Sequence, residues 1–172
     1  IIIHNKSEIN SERVNLPEYI DEEFAMLFGF LLGDGYVGKH TFNFSCGEDF
    51  EQNEKYVSIL KKYFGKVYFE KDKRYKGGNY IVNSILGCKI LEDLGYIHGA
   101  KNKRIPTWAF RSDKKIKKAL IKGLSDAGGP NRYQKSGLWT YEIELCNKNL
   151  VEDIKELWSS IGLSTGHIRY RK

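Results

Sequence analysis

Hydrophobic and polar positions alternate between two periods along this chain, and they do so twice. Phe24, Leu27, Phe28 and Leu31 recur at helical spacing behind Asp21-Glu22-Glu23, and Gly33 and Gly35 are expected to end that helix. Asp21 is a good N-cap there, and the acids suit the positive end of the helix dipole. From His40 to Cys46 the period drops to two, with Phe42 and Phe44 set between Thr41, Asn43 and Ser45, which predicts a half-buried strand with a polar outer face. An amphipathic helix is expected over Glu48 to Tyr63, with Tyr56, Ile59, Leu60 and Tyr63 on its apolar side and Gly65 as its stop. Strands over Lys66 to Lys71 and Asn79 to Asn83 follow, joined by a basic, glycine-containing turn, and a short helix around Ser84 to Leu94 closes the unit.

The second half repeats this order. Ser112 caps a helix expected from Asp113 to about Ala127; Asn131 to Gln134 and Leu138 to Leu145 read as a hairpin; Asn147 to Ser160 reads as a helix, and Gly162 stops it as Gly65 did. The spacing implies internal duplication, with a first half over 1–100 that includes a polar leader, a basic linker over 101–112 and a second half over 113–172. By the repeat, a strand begins at His167, and its partner strand and closing helix are expected beyond Lys172, so the second half reads as abbreviated.

Charge narrows the partners. The net charge is +6, and Lys101 to Lys122 carries nine Lys or Arg against Asp113 alone. Lys61 to Lys76 adds seven against Glu70 and Asp72, and with eleven tyrosines the balance favours a polyanion. Cys46, Cys88 and Cys146 lack the spacing of a zinc site or a disulfide framework, which fits a reducing intracellular compartment. The longest apolar stretch, Phe24 to Leu32, is far short of the roughly 20 residues of a membrane span.

The informative repeat is Leu27-Phe-Gly-Phe-Leu-Leu-Gly-Asp-Gly35 against Ile121-Lys-Gly-Leu-Ser-Asp-Ala-Gly-Gly129. A glycine inside a helix costs about 1 kcal/mol relative to Ala. Gly29 and Gly123 therefore point to close contact between two helices that brings their carboxyl ends side by side; two plain core helices with glycine stops are the simpler alternative. Aligning those glycines sets Gly33-Asp34-Gly35 against Ala127-Gly128-Gly129, so one copy carries an acid where the other has no side chain. Asp126 lies two residues too early, and its counterpart is Leu32, so it reads as structural.

These two motifs, each followed by strands and a helix, resemble the LAGLIDADG homing endonucleases of the single-chain, two-motif type found in introns and inteins. Lys103-Arg-Ile-Pro-Thr-Trp108 is similar to that family's linker. The resemblance implies an α+β fold of duplicated αββαββα halves about a pseudo-twofold axis, with two antiparallel sheets forming a saddle over the DNA major groove. It implies a monomer that hydrolyses double-stranded DNA at a long specific site with Mg²⁺ or another divalent metal. By the same carry-over, Asp34 is the catalytic metal ligand, the Gly33 and Ala127 carbonyls are further ligands, and Gly128 marks a lost acid that leaves the enzyme inactive or able only to nick. Lys148 is expected near the water and phosphate network. DNA contacts are expected from Thr41, Asn43, Ser45, Lys71, Lys73, Arg74, Lys76, Arg132, Gln134, Arg169 and Arg171. The alternative is a non-cleaving binder on the same scaffold, either a DNA-binding regulator or an RNA maturase.

Overall fold

A computed structural model describes residues 14–46, 50–72, 77–128, 131–133, 139–141 and 143–169. The elements in chain order are α1 (Glu22–Asp34), β1 (Gly35–Val37), β2 (Thr41–Cys46), α2 (Phe50–Phe64), β3 (Tyr68–Lys71), β4 (Gly78–Asn83) and α3 (Ile85–Asp93). They continue with α4 (Thr107–Arg111), α5 (Lys114–Gly128), β5 (Asn131–Tyr133), β6 (Trp139–Tyr141) and α6 (Lys148–Ser160). The class is α+β.

Local chemistry sets the helix starts. The Asp21 carboxylate accepts from Phe24 N–H at 2.8 Å, Ser84 Oγ from Gly87 N–H at 2.9 Å, and Asn147 Oδ1 from Leu150 N–H at 3.1 Å. Gly65 and Gly162 follow α2 and α6 at φ 76° and 82°, a backbone region that favours glycine. α4 lies inside the segment expected to be a linker. Pro106 precedes it with φ at −66°, and Trp108 is buried there with its Nε1–H donating to Leu94 O at 2.8 Å.

α1 is apolar almost all round, with every residue from Leu27 to Leu32 buried, as a central helix must be. Phe30 stacks on Tyr56 of α2 at 3.7 Å between centroids, while Phe24 meets Tyr63 and Phe28 meets Trp108 edge-on, each at 5.5 Å. The four strands β1-β2-β4-β3 form one antiparallel sheet whose Phe42, Phe44 and Val82 face this core.

The second sheet differs from the expected saddle partner. Among the described residues it holds only β5 and β6, paired antiparallel from Asn131↔Tyr141 to Tyr133↔Trp139. The strand expected from His167 is not formed over 167–169, which are irregular. Among the described residues no strand pairs with them, and extended residues without a ladder neighbour do not make a sheet. Gly33 also departs from expectation, since it lies inside α1 rather than ending it.

Candidate active site and nucleic-acid interface

α1 and α5 run side by side in the same direction, and the contact is reciprocal. A Cβ on Gly29 would lie 2.1 Å from Leu120 O, and one on Gly123 would lie 1.9 Å from Met26 O. Leu120 is the repeat counterpart of Met26, so each glycine meets the same backbone oxygen on the opposite helix. Further along, a Cβ on Gly33 would come within 2.4 Å of Ala127 Cβ, again a residue and its own counterpart. Small residues at these positions let the two backbones touch, and the ends at Asp34 and Gly128 emerge together.

One titratable pair occupies that end. Asp34 is exposed, yet the protein around its carboxyl group thins the solvent enough to raise its pKa, with Lys103 opposing that shift. Lys103 is buried, and burial pulls its ammonium from 10.5 down to about 8 against the pull of Asp34 and Cys146. Its Nζ donates to Gly35 O at 2.8 Å and Leu31 O at 3.2 Å, and sits 5.2 Å from the centre of the Tyr96 ring. Tyr96 Oη also donates to Gly35 O at 2.7 Å. A lysine thus closes the carboxyl end of α1, where a cation meets the negative pole of the helix dipole.

Sequence reasoning placed Lys103 in a linker and gave the basic role to Lys148. Lys148 is exposed at the start of α6, 3.6 Å from Glu152. The signal that could have found Lys103 is its place just ahead of Ile105-Pro106, where the linker enters the core. Asp126 is tied down as expected: Tyr56 Oη donates to it at 2.7 Å, Lys55 lies at 3.5 Å, and Lys122 bonds its other oxygen.

The described residues contain no group of three or more His, Cys, Asp or Glu side chains able to hold a metal. That excludes a cage built from such side chains among those residues, but Mg²⁺ ordinarily takes one or two carboxylates and completes its shell with water and substrate phosphate. Asp34, a partly desolvated carboxyl with a cation nearby, fits that sparser arrangement, and Gly33 and Ala127 are the penultimate residues of the same two helices. Gly128, the repeat counterpart of Asp34, offers no carboxylate.

The outer face of the four-stranded sheet is polar. Tyr36, Asn43, Ile81 and Tyr68 form one cross-strand row, and Ser45, Asn79 and Glu70 another, with Ser45 Oγ donating to Asn79 Oδ1 at 2.9 Å. Thr41 and Asn83 make a third pair on that face. Thr41, Asn43 and Ser45 therefore lie where the alternation put them, while Tyr36, Tyr68, Asn79, Ile81 and Asn83 were missed because strand pairing is not written in one strand. Lys71 belongs to the other face, since it pairs with Gly78 opposite the buried Cys46. Arg132 lies in β5 opposite Thr140, and Arg169 is exposed in an irregular segment. Lys73, Arg74, Lys76, Gln134 and Arg171 lie outside the described residues.

No family model matches the chain. It is similar to an iron–sulfur cluster assembly SufBD family protein of Mycobacterium leprae, 28% identical over 148 residues. It is also similar to the DNA polymerases of Thermococcus kodakarensis, 27% over 165 residues, and Pyrococcus horikoshii, 30% over 154. These alignments cover 82, 91 and 89% of this chain but only 16, 9 and 11% of the relatives. Among solved structures, full-length DUF199/WhiA from Thermatoga maritima shares the fold at TM-score 0.50 and 14% identity, over 86% of this chain and 47% of that one. No helix among the described residues is long and apolar enough to cross a membrane.

Proposed function

We propose that this chain is a site-specific double-stranded DNA endonuclease scaffold of the LAGLIDADG homing type, reduced by Gly128 to nicking at most. The observation that carries this reading is the reciprocal α1–α5 contact, which gathers Asp34, the Gly128 position and the Lys103 amine at one end of a helix pair. In this reading the duplicated halves correspond to α1 and its sheet and to α5 and β5-β6, with duplex DNA lying along the polar sheet faces. A twisted antiparallel sheet can follow a major groove and offer alternate side chains to base edges, and Asn43 has the paired donor and acceptor that suit adenine.

Asp34 would hold a divalent ion together with a scissile phosphate, and that ion would supply charge neutralisation and an activated water. The chain's own contribution is to orient one carboxylate at a fixed helix end and to set Lys103 beside it, where an amine near neutral pH can bear a phosphate charge or give up a proton. The comparisons support an inserted element. A segment that covers most of this chain recurs as a small fraction of proteins whose names share no activity, as a module carried by unrelated hosts would.

The test is repair of the lost acid. Gly128→Asp is expected to convert nicking or silence into cleavage of both strands of a bound target in Mg²⁺, and adding Asp34→Asn is expected to abolish cleavage again. Efficient linearisation by the unaltered protein, or an inert Gly128→Asp variant on a duplex it binds tightly, would refute the assignment. Loss of the second acid also suits a binder that does not cut, and tight binding with an inert repaired variant is the outcome that would favour it.

A further inference from the structure

The segment that carries Lys103 is held from the second half of the chain by two buried polar side chains, that of Asn147, which caps α6, and that of Asp153 within α6. Asn147 donates from Nδ2 to Lys103 O at 2.7 Å and to Ala100 O at 3.0 Å, while its Oδ1 caps α6. Asp153 grips the next residue with both oxygens, accepting from Arg104 Nε at 2.6 Å and from a terminal Arg104 nitrogen at 2.7 Å, and it also accepts from Ile105 N–H at 3.0 Å. Both are almost fully buried although polar, and between them they hold groups of Ala100, Lys103, Arg104 and Ile105, on both sides of the Lys103 side chain. Burying a carboxylate is costly unless paired, so the two-pronged Arg104 contact is what makes the site tenable. Nothing in α6 requires this, since its cap needs only the Asn147 oxygen.

We infer that Asn147 and Asp153 are positioning residues for Lys103, clamping its backbone so that the side chain reaches past Tyr96 to the carboxyl end of α1 beside Asp34. The inference rests on the function proposed above for its catalytic consequence, but the clamp itself is independent of any activity. It assigns the second half a task that survives the loss of the Gly128 carboxylate: α6 fixes the amine that serves the remaining acid. The two halves are thereby coupled through the linker as well as through the glycine contact.

Asn147→Asp separates positioning from folding. Aspartate caps a helix as well as asparagine does, so the bond from Leu150 N–H is kept while both donations to the linker carbonyls are lost. Amine-specific labelling read by mass spectrometry, at a temperature well below the unfolding midpoint, is expected to show Lys103 modified about tenfold faster in the variant, because losing hydrogen bonds of ordinary net strength shifts local opening by that factor. Labelling of Lys101 and Lys148 is expected to stay unchanged. Asp153→Asn, which removes the charge that holds the Arg104 fork, is expected to give the same selective exposure. In the Gly128→Asp background, the cleavage rate at saturating DNA is expected to fall by on the order of 100-fold with KM unchanged, as for a misplaced catalytic group. Unchanged Lys103 labelling in both variants, or exposure of Lys103 without any change in the cleavage rate of an active Gly128→Asp enzyme, overturns the inference. An inactive Gly128→Asp enzyme would sink the proposed function alone, because the labelling result still decides the clamp.

Discussion

Gly123→Ala tests the helix contact on which the site depends, and the structure sets the sign of its effect. At an exposed helical position the change would stabilise by about 1 kcal/mol through helix propensity. Here the new methyl would lie 1.9 Å from Met26 O and 2.7 Å from Phe30 N. The neighbours are backbone atoms that cannot rotate away, so α1 and α5 must part by roughly 1.5 Å to restore ordinary contact, and gaps of that size forfeit a large part of the dispersion energy along an interface. Overpacking of this kind costs about 1–3 kcal/mol, and the rigid obstruction puts Gly123→Ala at the upper end, so a net loss of about 2 kcal/mol remains after the propensity gain. Urea unfolding is expected to show the midpoint falling by about 1 M at an ordinary slope. Gly166→Ala, where a Cβ meets nothing within 4 Å, serves as a control expected to stay within about 0.5 kcal/mol. Because Gly29→Ala opens the same interface, the double variant should cost less than the two singles together. A rise in midpoint for Gly123→Ala would show that the helices do not touch there, and the adjacency of Asp34 and Gly128 would fall with it.

Lys103→Met keeps the apolar stem and removes a buried charge whose depression from 10.5 to about 8 corresponds to about 3 kcal/mol at most, before the two carbonyl bonds it makes are counted against that figure. The unfolded chain binds this proton more readily between those two values, so wild-type stability should rise with pH across that window relative to Lys103→Met, as paired urea titrations can show. An equal pH response in both proteins would remove Lys103 from its assigned environment. Duplex binding measured by fluorescence anisotropy should weaken steeply as salt rises, and affinity that is flat with salt would exclude a phosphate-contacting surface. Asn43→Ala should relax preference at one base pair by about 1–3 kcal/mol in a target-variant panel, while leaving the salt slope unchanged.

The elements were legible in the sequence where local chemistry and period agree. Asp21, Ser84 and Asn147 cap the helices at the positions their types suggest, and Phe42 and Phe44 turn inward as their alternation requires. The α1–α5 contact was legible too, because glycines at matching places inside two apolar helices are costly unless a backbone approaches them. Gly33 was misread as a helix stop, since a glycine next to Asp-Gly looks like punctuation until Ala127 is seen against it. α4 was missed because five residues behind a proline carry too few periods to register, and its order comes from the burial of Trp108 rather than from propensity.

Charge was the least legible property, because a run along the chain is not a surface in space. The nine basic residues from Lys101 to Lys122 read as one polyanion-binding stretch, but folding disperses them. Lys103 goes inward to α1, Arg104 is spent on Asp153, and Lys122 on Asp126. Lys114, Lys115 and Lys118 stand on the opening turns of α5, which by the rise of a helix lie roughly 15–20 Å from Gly128. They cannot touch a phosphate held at Asp34. The residue from this run that reaches the candidate site is the one that lost its solvent, and its chemistry comes from that loss: an exposed lysine stays charged well above neutral pH, whereas Lys103, clamped between Tyr96 and the end of α1, is brought close to the range where a proton can be exchanged. A count of charges could not have chosen it, because what distinguishes it is the place where the linker enters the core.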